Sequence, residues 1–100
     1  MAIYKNVAAG ATSAVVHQGD RYGSNLSKMS IANTGTQSTG KAEVDVYFND
    51  GTDTFYLIKG ASVHHATSLV LEDCLKFDKN KYTLYVRETR GNSGLSVIIV

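Results

Sequence analysis

The chain has 100 residues, of which 43% are hydrophobic and 19% charged, with a formal net charge of +1. That is enough for one domain with one core. It is too apolar for a disordered chain and too evenly charged to draw the protein to nucleic acid or an anionic membrane.

Other features narrow the expectation further. No apolar run approaches the ~20 residues of a membrane helix. The first residues, Met1-Ala2-Ile3-Tyr4-Lys5-Asn6, lack the apolar stretch of a secretory leader. The one cysteine, Cys74, permits no internal disulfide. A soluble protein made in a reducing cytoplasm is expected. Proline and tryptophan are absent, so turns must rely on Gly, Asn, Asp and Ser.

Apolar residues recur mainly at every second position, the spacing of half-buried strands. Ile3 to Val7 reads as a weak first strand. Ala11 to His17 is a second, with Ala11, Ser13, Val15 and His17 on one face. Leu26 to Asn33 is a third, in which Met29 and Ile31 share a face with Ser27, and it ends in the turn signal Asn33-Thr34-Gly35. Lys41 to Asn49 is the clearest strand: Ala42, Val44, Val46 and Phe48 point to a core, and Glu43, Asp45, Tyr47 and Asn49 point to water.

Asn49-Asp50-Gly51 is the strongest hairpin signal in the chain. Thr54 to Lys59 would return antiparallel, with Phe55 and Leu57 on one face and Tyr56 and Ile58 on the other. Val63 and Ser68 to Glu72 follow, interrupted by His64-His65-Ala66-Thr67. Tyr82 to Glu88 places Tyr82, Leu84 and Val86 inward, and Gly91-Asn92-Ser93-Gly94 forms a turn. Leu95 to Val100 closes the chain. Its end, Val97-Ile98-Ile99-Val100, is apolar on both faces, so it must be central in a sheet or buried against a neighbour.

About eight short strands at this spacing, with no window of period 3.6, predict a single all-β domain over residues 1–100. The expected architecture is an antiparallel β-sandwich, Ig-like or jelly-roll-like, with a closed barrel as second choice.

His64 and His65 are adjacent, so an extended backbone turns them to opposite faces, and His17 closes a strand. With one cysteine, multi-thiolate metal sites are excluded. Cys74 follows Glu72-Asp73, whose charges oppose thiolate formation, so core filling is the better reading. Asn49-Asp50-Gly51-Thr52-Asp53 has closely spaced oxygen donors, but it lacks the calcium-loop pattern, and hairpin geometry accounts for it. Glu43 and Asp45 share a strand face, where paired carboxylates more often serve solubility and cross-strand pairing than acid–base catalysis. The expectation is no enzyme and no cofactor.

The tyrosines Tyr47, Tyr56 and Tyr85 fall on the faces opposite the core. Tyrosine combines a large apolar body with a polar tip, the chemistry of interfaces, although cross-strand ring pairing explains the placement equally well. Together with Val97, Ile98, Ile99 and Val100 they are the expected contact or core-edge residues.

Several segments carry a resemblance: Ser30-Ile31-Ala32-Asn33-Thr34-Gly35, Ala42-Glu43-Val44-Asp45-Val46-Tyr47-Phe48-Asn49-Asp50-Gly51, Phe55-Tyr56-Leu57-Ile58-Lys59, Ser68-Leu69-Val70-Leu71-Glu72-Asp73, Tyr82-Thr83-Leu84-Tyr85-Val86 and Leu95-Ser96-Val97-Ile98-Ile99. Their order, over residues 26–100, resembles the small β-sandwich virion proteins of tailed bacteriophages, particularly those of cyanophages. The chain departs from that pattern at Val63-His64-His65-Ala66, and residues 1–25, which match least, are a candidate arm toward a neighbour. The resemblance implies a structural role in a virion, as a capsid decoration (cement) or neck or tail accessory protein. It implies partners in further copies of the chain and in other virion proteins such as the major capsid, neck or tail proteins, and no nucleic acid or membrane. The alternative expectation is a carbohydrate-binding β-sandwich module using Tyr56 with Asp50 and Asp53.

Overall fold

Asn49-Asp50-Gly51 is the point at which the chain folds back on itself. Asn49 Oδ1 accepts the Gly51 N–H (2.6 Å), and Asp50 Oδ1 accepts those of Thr52 and Asp53 (2.9 and 2.7 Å). Gly51 has φ +101°, a conformation that other residues enter only with strain. The computed structural model describes residues 3–8, 10–16, 28–35, 41–65, 67–72, 81–90 and 94–100.

Within them are eight strands: β1 (Ile3–Val7), β2 (Thr12–Val16), β3 (Lys28–Asn33), β4 (Ala42–Asn49), β5 (Thr54–Val63), β6 (Ser68–Glu72), β7 (Thr83–Arg90) and β8 (Leu95–Ile99). Four antiparallel pairs, β4 with β5, β3 with β6, β2 with β7 and β1 with β8, nest around the Asn49–Asp53 turn. The first half of the chain thus pairs with the second as one long ribbon. Two further pairings, β3 with β8 and β4 with β7, fold the ribbon into two four-stranded sheets. The first sheet runs β1-β8-β3-β6 and the second β2-β7-β4-β5. Of the two sandwich topologies expected, this strand order is the jelly roll.

Residues alternating inward from both sheets fill the space between them. Met29, Ile31, Leu95, Val97 and Ile99 come from the first sheet, and Val44, Val46, Leu84 and Val86 from the second, all with almost no solvent exposure. Asn33 ties the layers together at one end: its Nδ2 donates to the Val63 carbonyl (2.8 Å) and its Oδ1 accepts from the Gly35 N–H (2.8 Å).

The doubly apolar end of the chain resolves simply. β8 is central, between β1 and β3, with Val97 and Ile99 inward and Ile98 outward. Within residues 1–25, β1 and β2 are outer strands of the two sheets.

Three expectations need correction. Val63 ends β5, which is ten residues long, rather than standing before β6. In β5 the alternation changes phase: Phe55 pairs with inward Phe48, Tyr56 with outward Tyr47 and Ile58 with inward Val46, leaving Leu57 as the extra residue of a bulge. Phe55 and Ile58 therefore share the inward phase, and Leu57 does not join Phe55. In β2 a second irregularity, between Ala14 and Val16, buries both Val15 and Val16, which strict alternation from Ala11 to His17 puts on opposite faces. His17, Leu26 and Ser27 lie outside the described residues.

Candidate functional site: a tyrosine row over a half-buried ion pair

The outer face of the second sheet carries two cross-strand rows. Tyr47 on central strand β4 pairs with Tyr85 on β7 and Tyr56 on β5, which aligns three phenols across three strands. The Tyr47 and Tyr85 rings stack at 5.2 Å with planes 17° apart, and the Tyr56 ring is tilted against Tyr47 at 5.5 Å. Such ring pairs contribute about 0.5–1.5 kcal/mol each beyond the area they bury. Burial pushes the Tyr47 phenol above its usual range. The Tyr85 and Tyr56 phenols and the Asp45 carboxyl act in the same direction, against Arg87.

Two residues along β4 and on the same face, Asp45 pairs with Arg87 of β7. Asp45 lies on the outer side of the sheet yet is almost completely buried, which corrects its expected place on a wet face. A second bulge explains why. Val44 pairs with Ala61 and Val46 with Ile58, so the Lys59-Gly60 segment bows out opposite Asp45. Gly60, at φ +71°, turns its N–H onto Asp45 Oδ1 (2.8 Å), and the Arg87 guanidinium ion-pairs with Oδ2. Burial raises the Asp45 pKa. Hydrogen bonds from Arg87 and Gly60, with the Arg87 and Lys59 charges, outweigh it and hold the carboxyl below its usual range. The hydrogen bond to Asp45 raises the pKa of Arg87 in turn.

The cations also cover the rings. The Arg87 guanidinium lies 5.3 Å from the Tyr47 centroid and its Nη2 is 3.4 Å from the Tyr56 hydroxyl. Lys59 Nζ lies 4.8 Å from the Tyr56 centroid. Beyond this row the β5 edge adds an apolar strip: Phe55, Tyr56 and Leu57 are 53%, 44% and 41% exposed. The Phe55 and Tyr82 rings form a T-shaped pair with centroids 5.9 Å apart.

The seven expected contact residues fall into three places. Tyr47, Tyr56 and Tyr85 are together on this face, Val97 and Ile99 are core, and Ile98 and Val100 are exposed on the outer face of the first sheet. There Tyr4, Ile98, Ser30 and Val70 align across β1, β8, β3 and β6. Sequence reasoning missed Asp45, Gly60 and Arg87 as a unit. The usable signal was the equal two-residue offset in Tyr85/Arg87 and Tyr47/Asp45, which in an antiparallel pair sets acid opposite base.

The other candidates separate. Among the described residues no three His, Cys, Asp or Glu side chains converge. Asp50 Oδ1 is engaged in the turn, whose N–H groups lower its pKa. His64 is exposed, with its carbonyl accepting from Thr67, and His65 is half-buried. His17 and Cys74 lie outside the described residues.

One group not singled out from sequence is Glu88, which is buried in the inward phase of β7. Its Oε1 accepts the Gly10 N–H (2.7 Å), while Oε2 is buried without a hydrogen-bond partner among the described residues. Burial raises its pKa, opposed by the Gly10 hydrogen bond.

No protein-family profile and no curated protein matches the chain. Two solved structures are similar to it. One is the crystal structure of the Yersinia pseudotuberculosis-derived mitogen, with 7% identity and a TM-score of 0.44, covering 100% of this chain and 83% of that one. The other is a de novo designed double-stranded β-helix solved by NMR, with 15% identity and a TM-score of 0.37, covering 99% and 95%. At such scores neither likeness bears on what the chain does.

Proposed function

We propose that the protein is a non-enzymatic structural component of a tailed-phage virion, a capsid decoration or a neck or tail accessory protein. In this reading it docks on another virion protein through the outer face of the β2-β7-β4-β5 sheet. The observation that carries the reading is the exposed Tyr56 and Leu57 on border strand β5, continuous with the tyrosine row and backed by the Asp45–Arg87 ion pair, with inward-phase Phe55 exposed at the adjoining sheet border. Large exposed aromatics on a preorganised face are the chemistry of protein contact. The sequence resemblance over residues 26–100 supplies the virion context. Jelly rolls build viral shells and lectins alike, so the topology agrees with the reading without selecting it.

A carbohydrate-binding module ranks second. A sugar stacks on an open ring face, and here the Tyr47 ring is flanked by Tyr85 and Arg87, and the Tyr56 ring is approached by Tyr47 and Lys59. The row therefore offers mainly phenol edges. Mass spectrometry of purified particles, with wild-type protein and Leu57→Ser, tests the first reading. Wild type should copurify with particles and the variant should be depleted. Absence of the wild-type protein from particles, or binding on a glycan array with or without calcium, would overturn it.

A further inference from the structure

Four strands border the two sheets among the described residues: β1, β6, β2 and β5. An open edge invites pairing with another chain unless something blocks it. β1 carries Lys5 in the inward phase of Ile3 and Val7. β2 is interrupted by its bulge, and β5 by two bulges and Lys59. β6, Ser68-Leu69-Val70-Leu71-Glu72, pairs with β3 in unbroken register and carries no such device.

The direction of its backbone groups follows from the ladder. The Asn33 N–H donates to the Thr67 carbonyl (3.2 Å), and hydrogen-bonded pairs recur at every second residue of an antiparallel ladder. Residues 67, 69 and 71 therefore turn their backbone groups to β3. Lys28 and Val100 exchange both bonds at 2.9 Å, which assigns the alternate set on β3 to β8 and agrees with this phase. Ser68, Val70 and Glu72 thus point their N–H and C=O groups away from the sheet.

We infer that β6 pairs antiparallel with β6 of a second copy of this chain, across a two-fold axis at Val70, joining two first sheets into one eight-stranded sheet. The occupant is argued from the self-complementarity of the strand. The two-fold rotation at Val70 sets Leu69 opposite Leu71 of the second copy. These leucines are half-buried at the border of the core, and the pairing would cover what remains exposed. Ser68 falls opposite Glu72, so the two acids lie at opposite ends of the seam instead of facing each other. A β1–β1 seam centred on its middle residue would bring Lys5 against Lys5. Homodimers with closed two-fold symmetry require this kind of self-matching surface. The seam is small, so a concentration-dependent dimer is expected. The inference deepens the assembly reading and rests on it.

Sedimentation velocity on the full chain over a concentration series tests it. Wild type should shift from monomer to dimer. Val70→Pro removes only an outward N–H, which an edge strand tolerates, and Val70→Lys sets two lysines face to face. Both should weaken association at least ~10-fold, since losing about 1.4 kcal/mol is tenfold, while keeping the wild-type circular dichroism spectrum. In a Cys74→Ser background, Val70→Cys should give a disulfide-linked dimer under mild oxidation. Glu72→Cys should not, because its two copies would be offset by four residues, about 13 Å. A wild-type monomer at every concentration, or a dimer indifferent to both Val70 variants, overturns the inference. If such a protein still copurified with particles, the assembly reading would stand without this seam.

Discussion

Asp45 and Arg87 stand opposite each other on β4 and β7 and form an ion pair on the outer side of the sheet, with the carboxylate buried and the guanidinium about one-third exposed. This pair organises the face. It anchors the bulge at Gly60 through the carboxylate and reaches Tyr47 and Tyr56 through the guanidinium.

Asp45→Ala should therefore cost more than a surface substitution. It leaves the Gly60 N–H and the guanidinium without their acceptor, but Arg87 can still turn to water. The expected loss is about 1–3 kcal/mol, between the values for exposed and buried pairs. The Asp45 pKa is lowered in the folded state. Its contribution is thus present above the unfolded value of about 3.9 and is lost as pH falls through the folded value. Urea denaturation between acid and neutral pH should show this increment in wild type and not in Asp45→Asn; identical pH profiles would contradict the assignment.

Much of the fold is legible in the sequence. Unbroken alternation placed Ala42, Val44 and Val46 inward, and Asn49-Asp50-Gly51 marked the ribbon tip. What was not legible came from bulges. One extra residue reverses every later side chain on a strand, and neither Leu57 nor Val15 announces itself as the extra one. Tyr47, Tyr56 and Tyr85 could be put on outward faces from sequence, but their adjacency depended on which strands pair. The burial of Asp45 depended on a backbone N–H from Gly60, fifteen residues away, which no period-two pattern encodes.

Glu88 should act on stability in the opposite sense to Asp45. Its folded pKa is raised by burial, against the Gly10 hydrogen bond. The folded state therefore holds the proton more tightly than the unfolded chain. The contribution is fully present below about pH 4.3 and is lost as pH rises through the folded value. Above that value the interior holds a carboxylate with one oxygen unpartnered among the described residues. Glu88→Gln keeps an acceptor for Gly10 and removes the charge. It should raise stability by roughly 1 kcal/mol at pH above the folded value and flatten the decline above pH 4.3. A loss of stability at pH 7 equal to that at pH 4 would show that packing, not charge, governs the site.

Gly60 has φ +71°, and a Cβ there would meet nothing within 4 Å. Any cost of Gly60→Ala is then backbone strain and not a clash. About 1–2 kcal/mol is expected, with Gly60→Asn losing less because asparagine tolerates this region better. Thermal unfolding of the two variants gives the ranking. Equal losses would point away from backbone conformation and toward the Asp45 contact itself.

The tyrosine row should divide into a structural centre and a contact edge. Tyr47 is half-buried and touches both neighbouring rings, whereas Tyr56 is 44% exposed on the border strand. A double-mutant cycle on Tyr47→Ala and Tyr85→Ala should return a coupling of about 0.5–1.5 kcal/mol, the value for a stacked pair in contact. Tyr56→Ala removes only the tilted contact and an exposed ring, and should cost less than Tyr47→Ala in urea denaturation. If the face docks on a virion protein, Tyr56→Ala should nevertheless reduce incorporation into particles more than its stability loss explains. Incorporation that simply tracks stability across the three variants would leave the row a folding element and remove it from the docking surface.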